Sequence, residues 1–224
     1  METKIQNMSS LINWKDNKET EESLGRFSRY LYNKRVLFIG GAKNPSPYRV
    51  EDYDVIVAAN SHSVRLSHPV DIIYTQSSDM PTALLRDPRT RDLKYFCINY
   101  SQMYVQVLTR FCEKHNIPRR YFLHSLWPTV NPIYPEFEPL CAWQKEIGTF
   151  VFVGILAIRD LLNHYVKSLT LRGFNFYFKP GQGSPKKVGK HEVEPQIVWL
   201  YRTSVFDKRL IIDEQLEAVF NHYS

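Results

Sequence analysis

The sequence has little with which to staple, anchor or metallate a protein. Its 224 residues include three cysteines, Cys97, Cys112 and Cys141. That odd number lacks the paired spacing of a zinc site and cannot close a disulfide framework, so the three read as buried thiols of a reducing compartment. No stretch reaches the roughly 18 apolar residues of a transmembrane helix. The opening METKIQNMSSLINWKDNKETEESL has no apolar core of signal-peptide type. The expectation is a soluble, cytoplasmic protein with no membrane partner. Internal repeats and low-complexity tracts are absent as well, which excludes solenoids and fibrous arrays.

The common nucleotide fingerprints are also missing. The turn Gly40-Gly41-Ala42-Lys43-Asn44 has neither the G-x-G-x-x-G spacing of a dinucleotide site nor the GK[ST] ending of a P-loop, which argues against a dehydrogenase or an NTPase. Nothing resembles a D-x-D pair placed to hold a metal between diphosphate oxygens. The nearest, Asp52-Tyr53-Asp54, opens an apolar strand, so no metal and no cofactor are expected.

What is present is ordinary globular material: 43% hydrophobic and 23% charged residues, enough for one α/β domain over 18–224 behind a flexible segment 1–17. The net charge is +6, and the excess is uneven. RDPRTRDLK (86–94) holds Arg86, Arg89 and Arg91, and KPGQGSPKKVGKH (179–191) holds four lysines and no acid. Such segments suit an anionic partner, a nucleotide phosphate or a nucleic-acid backbone, although each can also be a solvated loop.

Leu24, Phe27, Tyr30 and Leu31 recur at helical spacing, predicting a helix from about Lys18 to Asn33. The continuous apolar runs RVLFIGG, DYDVIVAAN, VDIIYTQ and KYFCINY read as strands covered on both faces of a parallel sheet. A helix over roughly 101–115 and a strand at 121–125 follow. The four prolines of WPTVNPIYPEFEP (127–139) exclude regular structure and predict a loop or lid. An apolar helix comes next within 148–165, then a strand over KSLTLRGFNFYF (167–178), a Gly- and Lys-rich loop, and helices over about 192–203 and 213–221. Strands alternating with helices predict a Rossmann-like three-layer α/β/α sandwich with a mainly parallel sheet. Its ligand would bind beyond the carboxyl ends of the strands.

Three places there can carry chemistry. Gly40 and Gly41 permit close backbone approach, and Asn44 and Asn60 offer amides that both donate and accept; each asparagine can equally cap its own turn. Gly154 lies where a helix opens, whose free N–H groups and positive dipole end suit a phosphate; it can equally serve helix-to-sheet packing. His191 stands beside Glu192 and Glu194. An imidazole titrating near neutrality is the side chain best suited to take a proton from a hydroxyl, with a carboxylate to orient it. His62, His68 and His124 compete for that role, while His115, His164 and His222 look structural or exposed.

In order and spacing, VLFIGGAKN…DYDVIVAAN, then GTFVFVGILAIRDLLNHYVKSLTLRGFNFYF, then KHEVE resemble the sialyltransferase-like glycosyltransferases (glycosyltransferase family 29) over roughly residues 35–200. The resemblance equates Gly40 with the first glycine of the family's large motif, Asn60 with its closing asparagine, Gly154 with the glycine of its small motif and His191 with its late histidine, implied as general base. Departures are Gly41 and Ala42 where the family has Asn and Ser, Ala58 for Arg, Val153 for Thr, and Glu194 three residues from His191 instead of five. The family's membrane anchor and motif-bearing disulfide are absent, as in a compact viral or bacterial relative.

The resemblance implies a GT-A-like variant of that sandwich and a nucleotide-sugar-dependent glycosyltransferase that inverts the anomeric centre without a metal. The donor would be held by Gly40, Gly41, Asn44, Asn60 and Gly154 with Lys187 and Lys190. His191 and Glu194 would be catalytic. The acceptor would be a glycan or a hydroxylated base in viral DNA, the latter met by Arg86, Arg89 and Arg91. The alternative is a catalytically inactive module of the same fold that binds nucleotide or nucleic acid; an unrelated nucleotide hydrolase is a third.

Overall fold

A computed structural model describes residues 18–59, 66–75, 93–98, 131–133, 143, 146–149, 151–189 and 191–223. The segment 1–17, the helix expected over 101–115 and the strand expected at 121–125 lie outside them.

Helix α1 (Lys18–Leu31) leads into β1 (Arg35–Ile39), and β2 (Val55–Ala59), β3 (Ile72–Thr75), β4 (Tyr95–Ile98) and β5 (Asn131–Ile133) follow. Helix α2 (Val153–Asn163) then precedes β6 (Ser168–Arg172), the short β7 (Lys187–Val188) and β8 (His191–Glu192), α3 (Glu194–Phe206), β9 (Leu210–Ile211) and α4 (Glu214–Tyr223). Seven strands form one sheet in the order β5-β4-β3-β2-β1-β6-β9. Every pairing in it is parallel, with Val36 opposite Val55 and Arg35 opposite Ser168 on the two sides of β1.

The strands are apolar throughout because they are covered on both faces. Val36, Phe38, Val57, Tyr74, Leu169 and Leu171 form one core with residues of all four helices. Leu37, Ile39, Ile56, Ala58 and Ile73, of opposite parity, are buried as well. The expected Rossmann-like α/β architecture is therefore present. From β1 the chain steps outward to β5, then returns through α2 to set β6 on the other flank of β1. That reversal makes the carboxyl ends of β1 and β6 the topological switch point, where such sheets bind ligands.

Three expectations need correction. The proline-rich segment contains regular structure: Asn131–Ile133 is an edge strand, with Pro132 opposite Phe96. An edge is where a strand tolerates a residue lacking an N–H. The strand expected over 167–178 stops at Arg172, because Gly173 takes φ +71° and a tight turn follows at Phe176 and Tyr177, with φ of 47° and 58°. The helix expected from about 192 starts at Glu194 and runs to Phe206, while His191 and Glu192 pair antiparallel with Val188 and Lys187. No helix among the described residues is long and apolar enough to cross a membrane.

Candidate active site

The turn after β1 is bonded to the end of β6. The Gly40 N–H donates to the Arg172 carbonyl (2.7 Å) and the Ala42 N–H to the Gly173 carbonyl (3.0 Å). Asp213 fastens the other side: one carboxylate oxygen caps α4 through the Leu216 N–H (2.9 Å), and the other accepts from the Gly173 N–H (3.3 Å). A methyl group at Gly40 would lie 2.5 Å from the Gly173 carbonyl oxygen, well inside contact distance. Glycine is therefore needed at 40 to close the switch point.

Phe174 fills the space above that closure. Its ring meets Phe38 edge-on at 4.9 Å, and a methyl group at Gly154 would stand 2.9 Å from its Cε1. Gly40 and Gly154 thus flank one aromatic ring, and the missing side chain at 154 is used by packing. The Val153 and Gly154 N–H groups still head α2, since the first N–H groups of a helix have no carbonyl four residues back.

Beyond Phe174 the backbone is strained. Asn175 to Phe178 form a two-residue reverse turn in which the Phe178 N–H donates to the Asn175 carbonyl (2.7 Å) and the Tyr177 N–H to Asn175 Oδ1 (3.1 Å). Its central residues are a phenylalanine and a tyrosine with positive φ, a conformation that glycine or asparagine usually supplies. Such residues persist where surroundings over-determine them, and they cluster at functional sites. Phe176 is buried, whereas Tyr177 is 57% exposed with its ring 6.2 Å from that of Phe152.

Phe152, which precedes α2, joins this turn to the histidine. The His191 ring stacks on Phe152 at 4.6 Å and 29°. Gln196, wholly buried, locks the pair from behind. Its Oε1 accepts the Phe152 N–H (2.7 Å), and its Nε2 donates to the Glu192 carbonyl (2.6 Å). The Glu192 N–H in turn donates to Thr149 Oγ1 (2.9 Å). One amide therefore fixes His191 against the amino end of α2. A backed imidazole beside a helix N-terminus can move a proton close to a developing negative charge.

The lysine-rich loop is pinned by α4. The Tyr223 hydroxyl lies 3.2 Å from both the amide nitrogen and the carbonyl oxygen of Ser184. His222 stands edge-on to Phe178 at 5.4 Å and packs over Gly183, whose φ is +73°. Lys186 and Lys187 are exposed on this loop, Lys187 directly across the β7–β8 hairpin from Glu192.

Gly40, Gly154 and His191 are thus joined through Phe174 and Phe152. Gly41 and Asn44 are exposed in the turn after β1, where the Asn44 carbonyl accepts from Gln215 Nε2 (2.7 Å). Glu194 is exposed in the first turn of α3. Asn60, Lys190, Arg86, Arg89 and Arg91, with the competitors His62 and His124, lie outside the described residues. His68 is engaged elsewhere, with Nε2 3.0 Å from the Tyr48 hydroxyl. Sequence reasoning missed Phe152, Phe174, Tyr177 and Gln196. The one available signal for Gln196 was its place five residues after the histidine, where the family resemblance leads one to look for the partner group.

A second polar cluster is buried under α2. Tyr74 donates its hydroxyl to Asp160 Oδ2 (2.5 Å), His164 Nε2 is 3.9 Å from Asp160 Oδ1, and His164 Nδ1 is 3.0 Å from Ser28 Oγ. Burial holds the Asp160 carboxyl above its ordinary value and the His164 imidazole below its own. The Tyr74 phenol and the adjacent Cys97 thiol are pushed well up by the same cause. His164 also meets Phe27 edge-on at 5.0 Å. The cluster therefore ties α1, β3 and α2 together inside the core.

No family model and no curated protein matches the chain. Among solved structures it is similar to the sialyltransferase CstII from Campylobacter jejuni in complex with the substrate analogue CMP-3FNeuAc, at a TM-score of 0.52 and 13% identity over 84% of each chain. Another structure of that enzyme, in complex with cytidine-5'-monophosphate, gives 0.47 and 12% over the same shares. The chain therefore has a sialyltransferase-like glycosyltransferase fold.

Proposed function

We propose that the chain is a nucleotide-sugar-dependent glycosyltransferase, a single catalytic domain over 18–224. The observation that carries this reading is His191, stacked on Phe152 and fixed by Gln196 at the amino end of α2, in a sheet of sialyltransferase-like fold. The donor lies over the switch point, along Gly40, Gly41 and Asn44, and Asn60 is a further donor-binding residue. His191 removes the acceptor hydroxyl proton. The freed oxygen attacks the anomeric carbon in line, the bond to the nucleotide phosphate breaks with its electrons, and the configuration inverts. The N–H groups of Val153 and Gly154 with Lys187 and Lys190 receive the charge on the departing phosphate, so no metal is required. Glu194 supports the electrostatics of the base.

The deciding experiment follows donor consumption with a panel of cytidine, uridine and guanosine nucleotide sugars, with and without chelator. Thermal shifts on the same panel rank the donor class by mass action. The wild type should transfer sugar in chelator, and His191→Ala should lose transfer while melting normally. Donor binding without transfer would favour an inactive binding module, and acceptor-independent donor cleavage would favour a hydrolase. The arginines of segment 86–94 support a DNA acceptor over a glycan. Its mark is duplex binding that falls steeply with salt; salt-indifferent transfer to a glycan returns the acceptor to sugars.

A further inference from the structure

Among the described residues, the three most exposed large apolar side chains all lie at the end of the sheet opposite the candidate site. Phe206, Tyr165 and Tyr32 are 83%, 78% and 65% exposed. They follow or close the carboxyl ends of α3, α2 and α1, whose connections lead into the amino ends of β9, β6 and β1. Hydrogen bonds stitch those three connections into one surface. The Asn33 N–H donates to the Tyr165 carbonyl (2.8 Å) and the Lys167 N–H to the Lys34 carbonyl (2.9 Å). Arg209 reaches across to the carbonyls of His164 (3.0 Å) and Leu162 (2.8 Å).

The charge of this surface is positive. Lys34, Lys167 and Lys208 are exposed there. Of its nearby carboxylates, Asp207 is held by Arg209 at 2.6 Å and Asp54 by Arg35 at 3.3 Å, and the exposed Asp52 lies close enough to Arg35 to act on its charge. The acidic side chain of Glu51, ahead of β2, faces Arg49 at 4.0 Å. Three isolated rings projecting from helix ends, with lysines between them, do not make a groove in which successive bases could stack. They do match an anionic lipid interface. There, aromatic rings settle at headgroup level and lysine stems reach along apolar surface while their ammonium groups meet lipid phosphates.

We propose that this edge, the amino ends of β1, β6 and β9, is a peripheral docking surface for an anionic lipid bilayer. Docked this way, the protein turns the carboxyl ends of its strands, and the candidate site, away from the membrane. The test is co-sedimentation of the full chain with phosphatidylcholine vesicles with and without phosphatidylserine, at low and physiological salt. The expected result is salt-sensitive binding only to the phosphatidylserine vesicles. Lys34→Glu with Lys167→Glu should lower the partition coefficient by at least about 25-fold, taking about fivefold for each lysine lost near an anionic surface, with the added glutamates lowering it further. The emission that Phe206→Trp adds to the wild-type spectrum should shift to the blue with vesicles and be quenched by brominated lipid, a readout independent of charge. Absence of binding at low salt, binding indifferent to the charge reversals, or an added emission in the Phe206→Trp variant that vesicles leave unchanged overturns the proposal. So does a result in which the reversals abolish oligonucleotide binding or self-association and leave vesicle binding intact.

Discussion

Gln196 and Phe152 are joined by a hydrogen bond of 2.7 Å from the Phe152 N–H to the glutamine Oε1, so the amide that carries the backbone before α2 is held by a side chain of α3. The same glutamine carries the strand of His191 through the Glu192 carbonyl. Replacing it with leucine takes the side-chain partner from the part-buried Phe152 N–H and Glu192 carbonyl, at a cost of up to about 1–3 kcal/mol for each such group. Gln196→Leu is expected to shift the denaturant midpoint accordingly and to lower kcat more than it raises KM. A stability loss with unchanged kcat would show that the amide serves the fold alone.

Two glycines face different obstacles. A side chain at Gly154 meets the edge of the Phe174 ring, whereas one at Gly40 meets the backbone carbonyl of Gly173. A ring can tilt; a strand end bonded on both sides cannot. Gly154→Ala is expected to cost about 1–3 kcal/mol as an overpacking change, and Gly40→Ala more. In a Phe174→Ala background the Gly154→Ala penalty should shrink by a measurable coupling energy, while the Gly40→Ala penalty stays nearly whole. Equal penalties in both backgrounds would remove Phe174 as the cause.

The Phe176–Tyr177 turn stores conformational cost. Glycine visits positive φ without penalty, so Tyr177→Gly should recover about 1 kcal/mol of backbone strain. Because the tyrosine faces the Phe152–His191 stack, the same change is expected to reduce transfer. Rising melting temperature with falling activity is the predicted signature, and a gain in both would deny the turn a functional role.

His164 gives the fold a pH dependence. Burial depresses its pKa below the ordinary 6.5, so the neutral ring is the one the native state favours. A depressed folded pKa makes a contribution that is complete above 6.5 and lost as pH falls through the folded value. Melting temperature should therefore decline on acidification below about pH 6.5, and His164→Gln should flatten that slope. The raised carboxyl of Asp160 acts in the opposite sense, its contribution being present below its ordinary 3.8 and lost as pH rises through its folded value. A variant slope equal to that of the wild type would place the acid sensitivity elsewhere.

Tyr223 anchors the lysine loop through a single hydroxyl. Tyr223→Phe should leave global stability within about 1 kcal/mol, the net worth of one or two neutral hydrogen bonds. It should also quicken proteolytic cutting at Lys186 and Lys187 and raise the donor KM. Unchanged cutting would mean that the packing of His222 over Gly183 suffices.

The sheet was legible in the sequence wherever burial on both faces wrote an uninterrupted apolar run, as in VLFI and VIVAA. It was obscured where a local rule had a stronger competitor. Pro132 hid an edge strand because the edge excuses the missing donor. Phe176 and Tyr177 hid a turn because aromatic residues favour strands, and only the Asn175 side chain betrays the reversal. In the candidate site, His191 announced itself by its chemistry, and Gly40 and Gly154 by their position at element ends. Gln196 stayed invisible, since a glutamine in a helix reads as surface until the fold buries it. That Gly40 needs its small size for Gly173, far along the chain, follows from topology alone.

The pairing of β1 with β6 also sets the order in which the molecule can be built. Arg35 lies opposite Ser168, so β1 lacks one neighbour until the chain has been synthesised beyond residue 168. Closing so long a loop is entropically costly and slow. An emerging chain therefore carries β1 with one bare flank, open to strangers as an unpaired edge. It has neither half of the switch point joined nor the proposed donor site. Activity and protection from aggregation should arrive in the same late step, when the end of β6 accepts the Gly40 N–H.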